Sequence, residues 1–352
     1  MFGNRNKRYR ETIAEGLSEA HLRAVTEDAA LDDVKLIVFS DLHRGTGDRA
    51  DDFRRCRRLY HGALGYYDSL DYRLFLLGDV EEIWERLLPS IVRKYEQTLE
   101  LEQRFFERGR GVRFFGNHDE ALQWQINYSQ IEKYLAGEKL IESLRMWIFN
   151  EASDKDPLGE IYFAHGHQGQ SYNAFHRFVV SWLWAPIQMV TGAKPQKLPS
   201  HDQRIRQKHE QALYEWAASQ SDRNLLLIAG HTHNPVFMST AWQETIRAQF
   251  EALKSDPETK PKTLAMAEAK LRWAEAAAAE SRSALPDGGR PCYFNSGCCS
   301  YSDGTITGIE IAEKSIRLVR WNDFSGLPDR EVFREAKLKK IFENCCDGEG
   351  DD

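Results

Sequence analysis

Residue types that bind metal ions occur in five groups along the chain, each at the end of a short apolar run. Aspartate, histidine and asparagine dominate these groups, and a glycine stands beside most of them. Carboxylate, imidazole and amide-carbonyl ligands suit Mn, Fe, Zn or Mg, whereas thiolates would select Zn or an iron–sulfur cluster. The groups are Asp41-Leu42-His43, Gly78-Asp79, Gly116-Asn117-His118-Asp119, His165-Gly166-His167 and Gly230-His231-Thr232-His233.

The elements that position these groups follow from the pattern of apolar residues. Short runs rich in Val, Ile, Leu and Phe are typical of buried strands, and here they cover 34–40, 73–77, 112–115, 161–164 and 225–229. Helical patterns lie between them at 51–64, 91–107 and 120–135. Strands that alternate with helices predict an α/β fold. Because ligand sites in such folds lie beyond the carboxyl ends of the strands, we expect the five groups to converge.

The convergent residues suit a pair of ions better than one. Two cations about 3.5–4 Å apart need a shared ligand, and together they stabilise the attacking and leaving oxygens of a displacement. Asp79 is the candidate for the shared carboxylate. The glycines beside the key residues let the backbone turn sharply and approach the ions closely.

The order of the five groups resembles the calcineurin-like metallophosphoesterase superfamily, over residues 34 to 321 apart from two inserted segments. The resemblance implies an α/β (α+β) fold, a β-sandwich of two sheets flanked by helices, with a dinuclear site at the strand ends. It implies hydrolysis of a phosphodiester, pyrophosphate or phosphomonoester by attack of a metal-bound hydroxide. The implied cofactor is two divalent metal ions, with Mn ahead of Fe, Zn, Mg and Ni.

The same resemblance implies seven metal ligands, one of them shared. One ion would take Asp41, His43, Asp79 and His233, and the other Asp79, Asn117, His165 and His231.

Four further residues near these motifs receive expected roles. His118 would act as general acid or charge stabiliser, oriented by a carboxylate that is either Asp119 or another acid. His165 is preferred to His167 as ligand because the family typically uses the first histidine after the strand. His167 would then lie beside the ligands or on the substrate side. Arg44 would clamp a phosphate oxygen or be an ordinary surface arginine.

A finer resemblance concerns residues 78–84, which look like the Gly-Asp-x-x-Glu-x-Trp pattern of bacterial UDP-diacylglucosamine pyrophosphohydrolases. Those enzymes typically carry arginine where this chain has His118, and they lack the second insertion, so the resemblance indicates a relative. The expected partner is a small phosphorylated substrate, either nucleotide-sugar or lipid-linked. The aromatic run 178–190 would cover the site and contact the substrate, or would pack against the hairpin at 239–286 or a second subunit.

The domain organisation follows from the two insertions. We expect an N-terminal helical extension at 1–33, a catalytic domain at 34–345 and a disordered acidic tail at 346–352. The insertions are a lid at 168–220 and a helical hairpin at 239–286. A meander of antiparallel strands is predicted at 293–295, 305–311 and 315–321.

Composition narrows the classes of partner and compartment. A net charge of −7 and a pI near 5.9 argue against a surface built for nucleic acid. Six cysteines without a small-domain framework predict a reducing, cytoplasmic compartment. No apolar run reaches the roughly 18 residues that a spanning helix needs, which leaves peripheral membrane contact and oligomerisation open.

Three other functions compete with the phosphoesterase interpretation. A protein Ser/Thr phosphatase should carry Gly-Asp-x-Val-Asp-Arg-Gly at the second group, which Glu81-Glu82-Ile83 does not match. A nuclease would share the metal motifs, but the acidic balance disfavours it. A non-catalytic scaffold with the same fold would be expected to have lost ligands, and every expected ligand is present.

Overall fold

The computed structural model describes residues 2–170, 203–256, 259–261, 263–265, 267–268, 271 and 289–346. The aromatic run 178–190, the tail from 347 and most of the second half of the predicted hairpin lie outside these residues. No helix in the described part of the chain is long and apolar enough to cross a membrane.

One sheet has six strands in the order β13-β12-β11-β2-β3-β4. The strands β2, β3 and β4 are parallel, and the remaining neighbours pair antiparallel. The bounds are β2 Leu36–Phe39, β3 Arg73–Leu77, β4 Gly111–Phe114, β11 Ile306–Ala312, β12 Ser315–Asn322 and β13 Asp329–Lys337.

The other sheet has seven strands in the order β1-β5-β6-β7-β10-β8-β9. The bounds are β1 Val25–Ala30, β5 Ser143–Phe149, β6 Gly159–Ala164, β7 Leu225–Ala229, β8 Val236–Phe237, β9 Thr240–Ala241 and β10 Tyr293–Asn295. The predicted meander is therefore wrong at its first strand, because β10 pairs parallel with β7 and lies in a different sheet from β11 and β12.

Helices flank the two sheets. Their bounds are α1 Phe2–Arg23, α2 Phe53–Ser69, α3 Leu88–Lys94, α4 Glu96–Glu107, α5 Gln125–Tyr128, α6 Gln203–Ala218, α7 Trp242–Ser255 and α8 Leu338–Cys346. The helix predicted over 120–135 is wrong. Trp124 is extended (ψ 130°), so α5 is a single turn between two short 3₁₀ segments, and the apolar side chains of Trp124 and Ile126 are exposed.

Alternate residues of the central strands enter two separate cores. In β2, Leu36 and Val38 point between the sheets, whereas Ile37 and Phe39 pack in the core that includes residues of α2. Phe75 of β3 meets Phe163 of β6 with ring centroids 5.0 Å apart, so the sheets are in direct contact. Burial on both faces explains the unbroken apolar runs. The predicted α/β fold of two packed sheets flanked by helices is confirmed.

Residues 2–33 pack with the rest of the described fold. α1 is followed by β1, which pairs parallel with β5 at the edge of the seven-stranded sheet. The buried side chain of His21 lies 2.7 Å from Glu160 of β6, and Glu160 also accepts a hydrogen bond from Arg145 (2.8 Å). Because β1 belongs to the sheet, the segment is more than the expected helical extension.

Candidate metal centre

The strand topology brings the five groups together. β2, β3 and β4 are parallel in one sheet, and β6 and β7 are parallel in the other, so the carboxyl ends within each set share an edge. Backbone hydrogen bonds then join the loops: His43 N donates to Asp79 O (3.0 Å) and Gly230 N donates to His165 O (3.0 Å). Groups separated by up to about 190 positions thus meet.

Six of the seven expected ligands form two clusters. Within each cluster the potential ligand atoms all lie within 4.8 Å of one another. The first cluster is Asp41, His43 and His233, and the second cluster is Asp79, His165 and His231. His165, and not His167, therefore belongs to a cluster.

In the first cluster, three atoms converge. His233 Nε2 lies 3.2 Å from Asp41 Oδ1 and 3.1 Å from His43 Nε2. His43 Nε2 is 3.8 Å from the same Asp41 oxygen. Imidazole nitrogens and a carboxylate oxygen that face one another in this way form a donor set suited to a divalent cation.

Asp79 lies between the two clusters. Its Oδ2 is 3.1 Å from His165 Nε2 in the second cluster and 3.9 Å from His43 Nε2 in the first. Its other oxygen, Oδ1, accepts a hydrogen bond from His118 N (2.8 Å). One carboxylate oxygen is thus placed near both clusters, as a shared ligand would be.

Three buried polar atoms at this place lack a hydrogen-bond partner within the described residues. They are Asp41 Oδ1, Asn117 Oδ1 and His165 Nε2. Buried polar atoms are normally paired because leaving them unpaired is costly, and bound cations, one near Asp41 and one near Asn117 and His165, would satisfy them. Asn117 is the seventh expected ligand, and its oxygen has the chemistry the site requires. The residues present therefore fit a pair of metal ions.

Hydrogen bonds to the opposite ring nitrogen orient two of the imidazoles. His43 Nδ1 lies 2.8 Å from Glu82 Oε2, and His165 Nδ1 donates to Leu77 O at 2.8 Å. This leaves Nε2 of both rings for an ion. Metal-ligating histidines almost always donate their second nitrogen in this manner.

His231 is oriented by residues that sequence reasoning did not assign to the site. Its Nε2 donates to Gln170 Oε1 at 3.2 Å, which leaves Nδ1 for an ion. Gln170 Nε2 and the Tyr9 hydroxyl each lie 2.9 Å from His209 Nδ1, and His209 Nε2 donates to Gly166 O (2.6 Å). Tyr9 belongs to α1, so the N-terminal helix reaches this cluster through a chain of hydrogen bonds.

Glu82 holds two histidines at once. Its Oε1 is 2.7 Å from His118 Nδ1, and its other oxygen bonds His43. The Trp84 ring stacks on His118 with centroids 4.1 Å apart. Glu82, His43 and His118 could also form a metal group by distance, but both Nδ1 atoms are already bonded to the carboxylate. The acid beside His118 is therefore Glu82 and not Asp119.

Asp119 is buried and serves the loops around it. Its carboxylate accepts hydrogen bonds from Val80 N (2.8 Å), Gly116 N (2.6 Å) and Arg113 Nη2 (2.6 Å). These bonds join the second and third groups, so Asp119 acts on the geometry of the centre through the backbone. The expectation that it orients His118 does not agree with this placement.

Arg44 is 1% exposed, and its guanidinium is paired inside the protein. Nη1 donates to both oxygens of Glu102 at 2.9 Å, and Nη2 donates to Glu81, which Arg113 also contacts. This placement corrects both expected roles, phosphate clamp and surface arginine, because the charge is already matched by buried carboxylates.

Five expected ligands have left-handed backbone conformations that residues other than glycine seldom adopt. The φ angles are 53° for Asp41, 48° for His43, 51° for Asp79, 67° for His231 and 57° for His233. Such conformations are unfavourable for non-glycine residues and cluster at functional sites. The surrounding fold thus holds these five residues in position.

Two glycines allow the close approach that the sequence predicts. A Cβ on Gly116 would lie 2.2 Å from Asp79 Oδ1, and one on Gly230 would lie 2.6 Å from Asp41 Oδ2. Any side chain at either position would displace a carboxylate of the centre.

The charges of the centre shift the pKa values of its histidines in opposite directions. Burial lowers the pKa of His165, but the carboxylates of Asp79 and Asp41 outweigh it and raise the value to about 9. Burial, together with neighbouring His209 and His165, holds the pKa of His231 well below its usual range. His167 is buried beside His165, and its pKa falls to about 3. The carboxylates thus dominate the pKa of His165, whereas burial dominates the pKa values of His231 and His167.

No known protein family matches the chain, and no curated protein matches it. The functional argument therefore rests on the chemistry of the site, because a fold by itself does not define a function.

Proposed function

We propose that this protein is a dinuclear metal-dependent phosphoesterase that hydrolyses a phosphodiester, pyrophosphate or phosphomonoester bond. The observation that carries the proposal is the place of Asp79, whose Oδ2 is 3.1 Å from His165 Nε2 and 3.9 Å from His43 Nε2. A carboxylate between two sets of ligands is what a two-ion site requires. The order of the five groups, which resembles the calcineurin-like metallophosphoesterases, supports the same reaction.

The proposed ligands divide between two ions that share Asp79. One ion would be held by Asp41, His43, Asp79 and His233, and the other by Asp79, Asn117, His165 and His231. Two divalent ions, Mn first among them, would supply Lewis-acid stabilisation of the phosphoryl oxygens and an activated water.

His118 is the proposed proton donor to the leaving group. Its Nδ1 is bonded to Glu82 and its ring is stacked on Trp84, so Nε2 remains as the ring atom that can donate. As water adds to phosphorus and the bond to the leaving oxygen breaks, that oxygen needs a proton. A positioned imidazole supplies it well at neutral pH.

The proposed compartment is the cytoplasm. Cys56, Cys292, Cys298 and Cys299 are buried free thiols, which suits a reducing environment. We assign the protein a small phosphorylated substrate and no nucleic-acid partner, in keeping with its net charge of −7.

The test is a substrate screen on metal-stripped protein reconstituted with Mn²⁺, Zn²⁺, Fe²⁺, Ni²⁺ or Mg²⁺. The panel holds p-nitrophenyl phosphate, bis-p-nitrophenyl phosphate, a UDP-sugar, a phosphoserine peptide and single-stranded DNA. We expect two ions per chain and metal-dependent hydrolysis of a small ester. Two bound ions without hydrolysis of any ester would indicate a non-catalytic metalloprotein, and activity confined to the peptide or the DNA would indicate a phosphatase or a nuclease.

A further inference from the structure

A cavity of about 340 Å³ lies directly beside the candidate metal centre. The side of the cavity nearest the centre includes Asn117 and His167, and the far side is formed by Gly16, Glu19 and Arg23 of α1. Pockets for small molecules span roughly 300–1,000 Å³, so this one suits a small group. It is therefore placed to receive the part of a substrate that adjoins the reacting phosphoryl group.

Close packing of α1 on the loop after β6 builds the wall of this cavity. A Cβ on Gly16 would lie 2.1 Å from Gly169 N. Gly169 has a φ of 78°, and a Cβ there would lie 2.1 Å from Thr12 O. Only glycine fits at both positions, so helix and loop meet backbone to backbone and hold the cavity open beside them.

Two residues of the cavity lining, Gln168 and His167, carry buried polar atoms without a hydrogen-bond partner among the described residues. Gln168 is 4% exposed, and its Oε1 accepts a hydrogen bond from Gly166 N at 3.0 Å. Its Nε2 has no hydrogen-bond partner among the residues described, and neither has Nδ1 of His167. A buried amide donor that is left unpaired is costly, and a ligand hydroxyl or phosphoryl oxygen would pair with it.

Among the described residues, the lining carries no apolar side chain. Its ionisable side chains other than His167 are three glutamates, Glu19, Glu120 and Glu142, and one arginine, Arg23. Arg23 is already paired, with Nη2 3.2 Å from Glu142 and Nη1 3.6 Å from Glu19. An acyl chain would meet no apolar side chain among the described lining residues, and a second phosphate would meet like charge.

We propose that this cavity, which we call the polar subsite, binds a small hydroxylated or amine-bearing alcohol group that is esterified to the reacting phosphorus. The inference rests on the proposed function for the nature of the reaction, but the recognition of the alcohol rests on the cavity alone. The polar subsite selects esters whose alcohol group is polar and either neutral or cationic, in preference to lipid-like esters and diphosphates.

The first experiment measures binding to metal-free full-length protein, where no hydrolysis takes place. The probes are glycerol 3-phosphate, phosphocholine, hexyl phosphate and methylene diphosphonate, and calorimetry gives each affinity. We expect the first two to bind about tenfold more tightly than the last two. Gln168→Leu should remove the preference for both favoured probes, and Glu142→Gln should weaken phosphocholine more than glycerol 3-phosphate. Glu343→Gln, an exposed change on α8, is the matched control.

Two results would overturn the polar subsite: equal affinity for all four probes, or a preference that survives Gln168→Leu in a folded protein. If Gln168→Leu does not fold, the probe series and Glu142→Gln decide.

The second experiment separates this proposal from the proposed function. Hydrolysis of p-nitrophenyl phosphocholine and bis-p-nitrophenyl phosphate is compared in reconstituted protein. Selective binding without any hydrolysis would support the polar subsite and contradict the proposed phosphoesterase function. Hydrolysis without selectivity in binding affinity or in KM would contradict the polar subsite and leave the proposed phosphoesterase function in place.

Discussion

The two clusters of the candidate centre are oriented by different chemistry. In the first cluster, His43 is bonded to the carboxylate of Glu82, and its pKa lies well above the usual range because the bonds to acids outweigh burial. In the second cluster, His165 and His231 are bonded to neutral acceptors, a backbone carbonyl and the amide of Gln170. Acceptors of different charge tune the basicity of a ligand differently.

The two clusters also depend on different parts of the chain. Glu82 stands three residues after Asp79, so the residue that orients His43 of the first cluster lies close to one of the five motif groups. The second cluster is supported by Gln170, His209 and Tyr9, and Tyr9 lies on a helix about 160 positions away from Gln170. We therefore expect the second cluster to be the more sensitive to changes outside the motifs.

The largest effect is expected from removing the residue common to both clusters. Asp79→Ala should lower the ion content at both positions and reduce kcat/KM by about 10⁴-fold or more. The effect is large because both ions would lose a ligand, and losing one member of a catalytic unit can cost nearly as much as losing the whole unit. Metal analysis after dialysis and the ester assay measure both. Asp156→Ala, an exposed change, is the control. Full ion content in Asp79→Ala would disprove a shared ligand.

Replacing His118 tests whether this histidine, which is hydrogen-bonded to Glu82 beside the first cluster, is a catalytic residue or a metal ligand. His118→Ala should keep both ions, because Nδ1 of His118 is bonded to Glu82, while kcat falls about 10²- to 10⁴-fold. Esters with alkyl leaving groups should lose more than p-nitrophenyl esters, which need little protonation. Ion loss in step with activity would instead make Glu82, His43 and His118 a metal site.

The buried pair that attaches α1 to the seven-stranded sheet is the third target. Glu160→Gln should lower the unfolding free energy by about 3 kcal/mol, because it leaves His21 and Arg145 without their carboxylate. Urea unfolding measures it, with Glu343→Gln as control. An unchanged midpoint would show that the pair adds nothing to the docking of α1.

The same residue predicts a dependence on pH. Burial raises the pKa of Glu160, but hydrogen bonds from His21 and Arg145 outweigh it, and the pKa lies below its usual value. A depressed pKa in the folded state stabilises the protein above the ordinary carboxyl pKa, and this contribution is lost as the pH falls through the depressed value. Between pH 7 and pH 3 the wild type should therefore lose more stability than Glu160→Gln.

The smallest effect separates the two clusters. Gln170→Leu removes the acceptor of His231 Nε2 and should weaken ion binding at the second cluster about tenfold, while the first cluster keeps its affinity. Titration of metal-free protein with Mn²⁺ resolves the two sites, and Gln123→Leu, an exposed change, is the control. Equal weakening of ion binding at both clusters would contradict the expectation that Gln170 supports only the second cluster.

Much of the fold could be predicted from the sequence because the local pattern of apolar residues indicates which segments are buried. The strands at 73–77 and 225–229 have the predicted bounds, since continuous apolar runs mark strands covered on both faces. β5 was missed although Leu144, Met146 and Ile148 alternate as buried residues, a period-two signal that was present in the chain. Leu122, Ile131 and Leu135 are buried, yet the helix predicted over 120–135 is interrupted at Trp124, whose backbone is extended. In this segment the apolar periodicity indicated burial but did not determine the backbone conformation.

The orienting residues were harder to predict. Glu82 and Asp119 are both acids close to the motifs, and only the directions of their side chains assign His118 to the first and the loop amides to the second. His209 had no partner pattern along the sequence, because its partners Tyr9 and Gln170 are 200 and 39 positions away.

The sequence by itself determined the α/β class and the types and order of the candidate ligands at the strand ends, because these depend on residue chemistry and on periodicity over a few positions. The arrangement in two sheets was implied only by the resemblance of the motifs, and the tertiary structure decided it. Only the tertiary structure decided that Asp79 lies between the clusters, that Arg44 is paired inside the protein, and that α1 reaches the centre through Tyr9. Those outcomes depend on side-chain directions and on contacts between segments far apart in the sequence. Such contacts cannot be predicted from the spacing of residues along the chain.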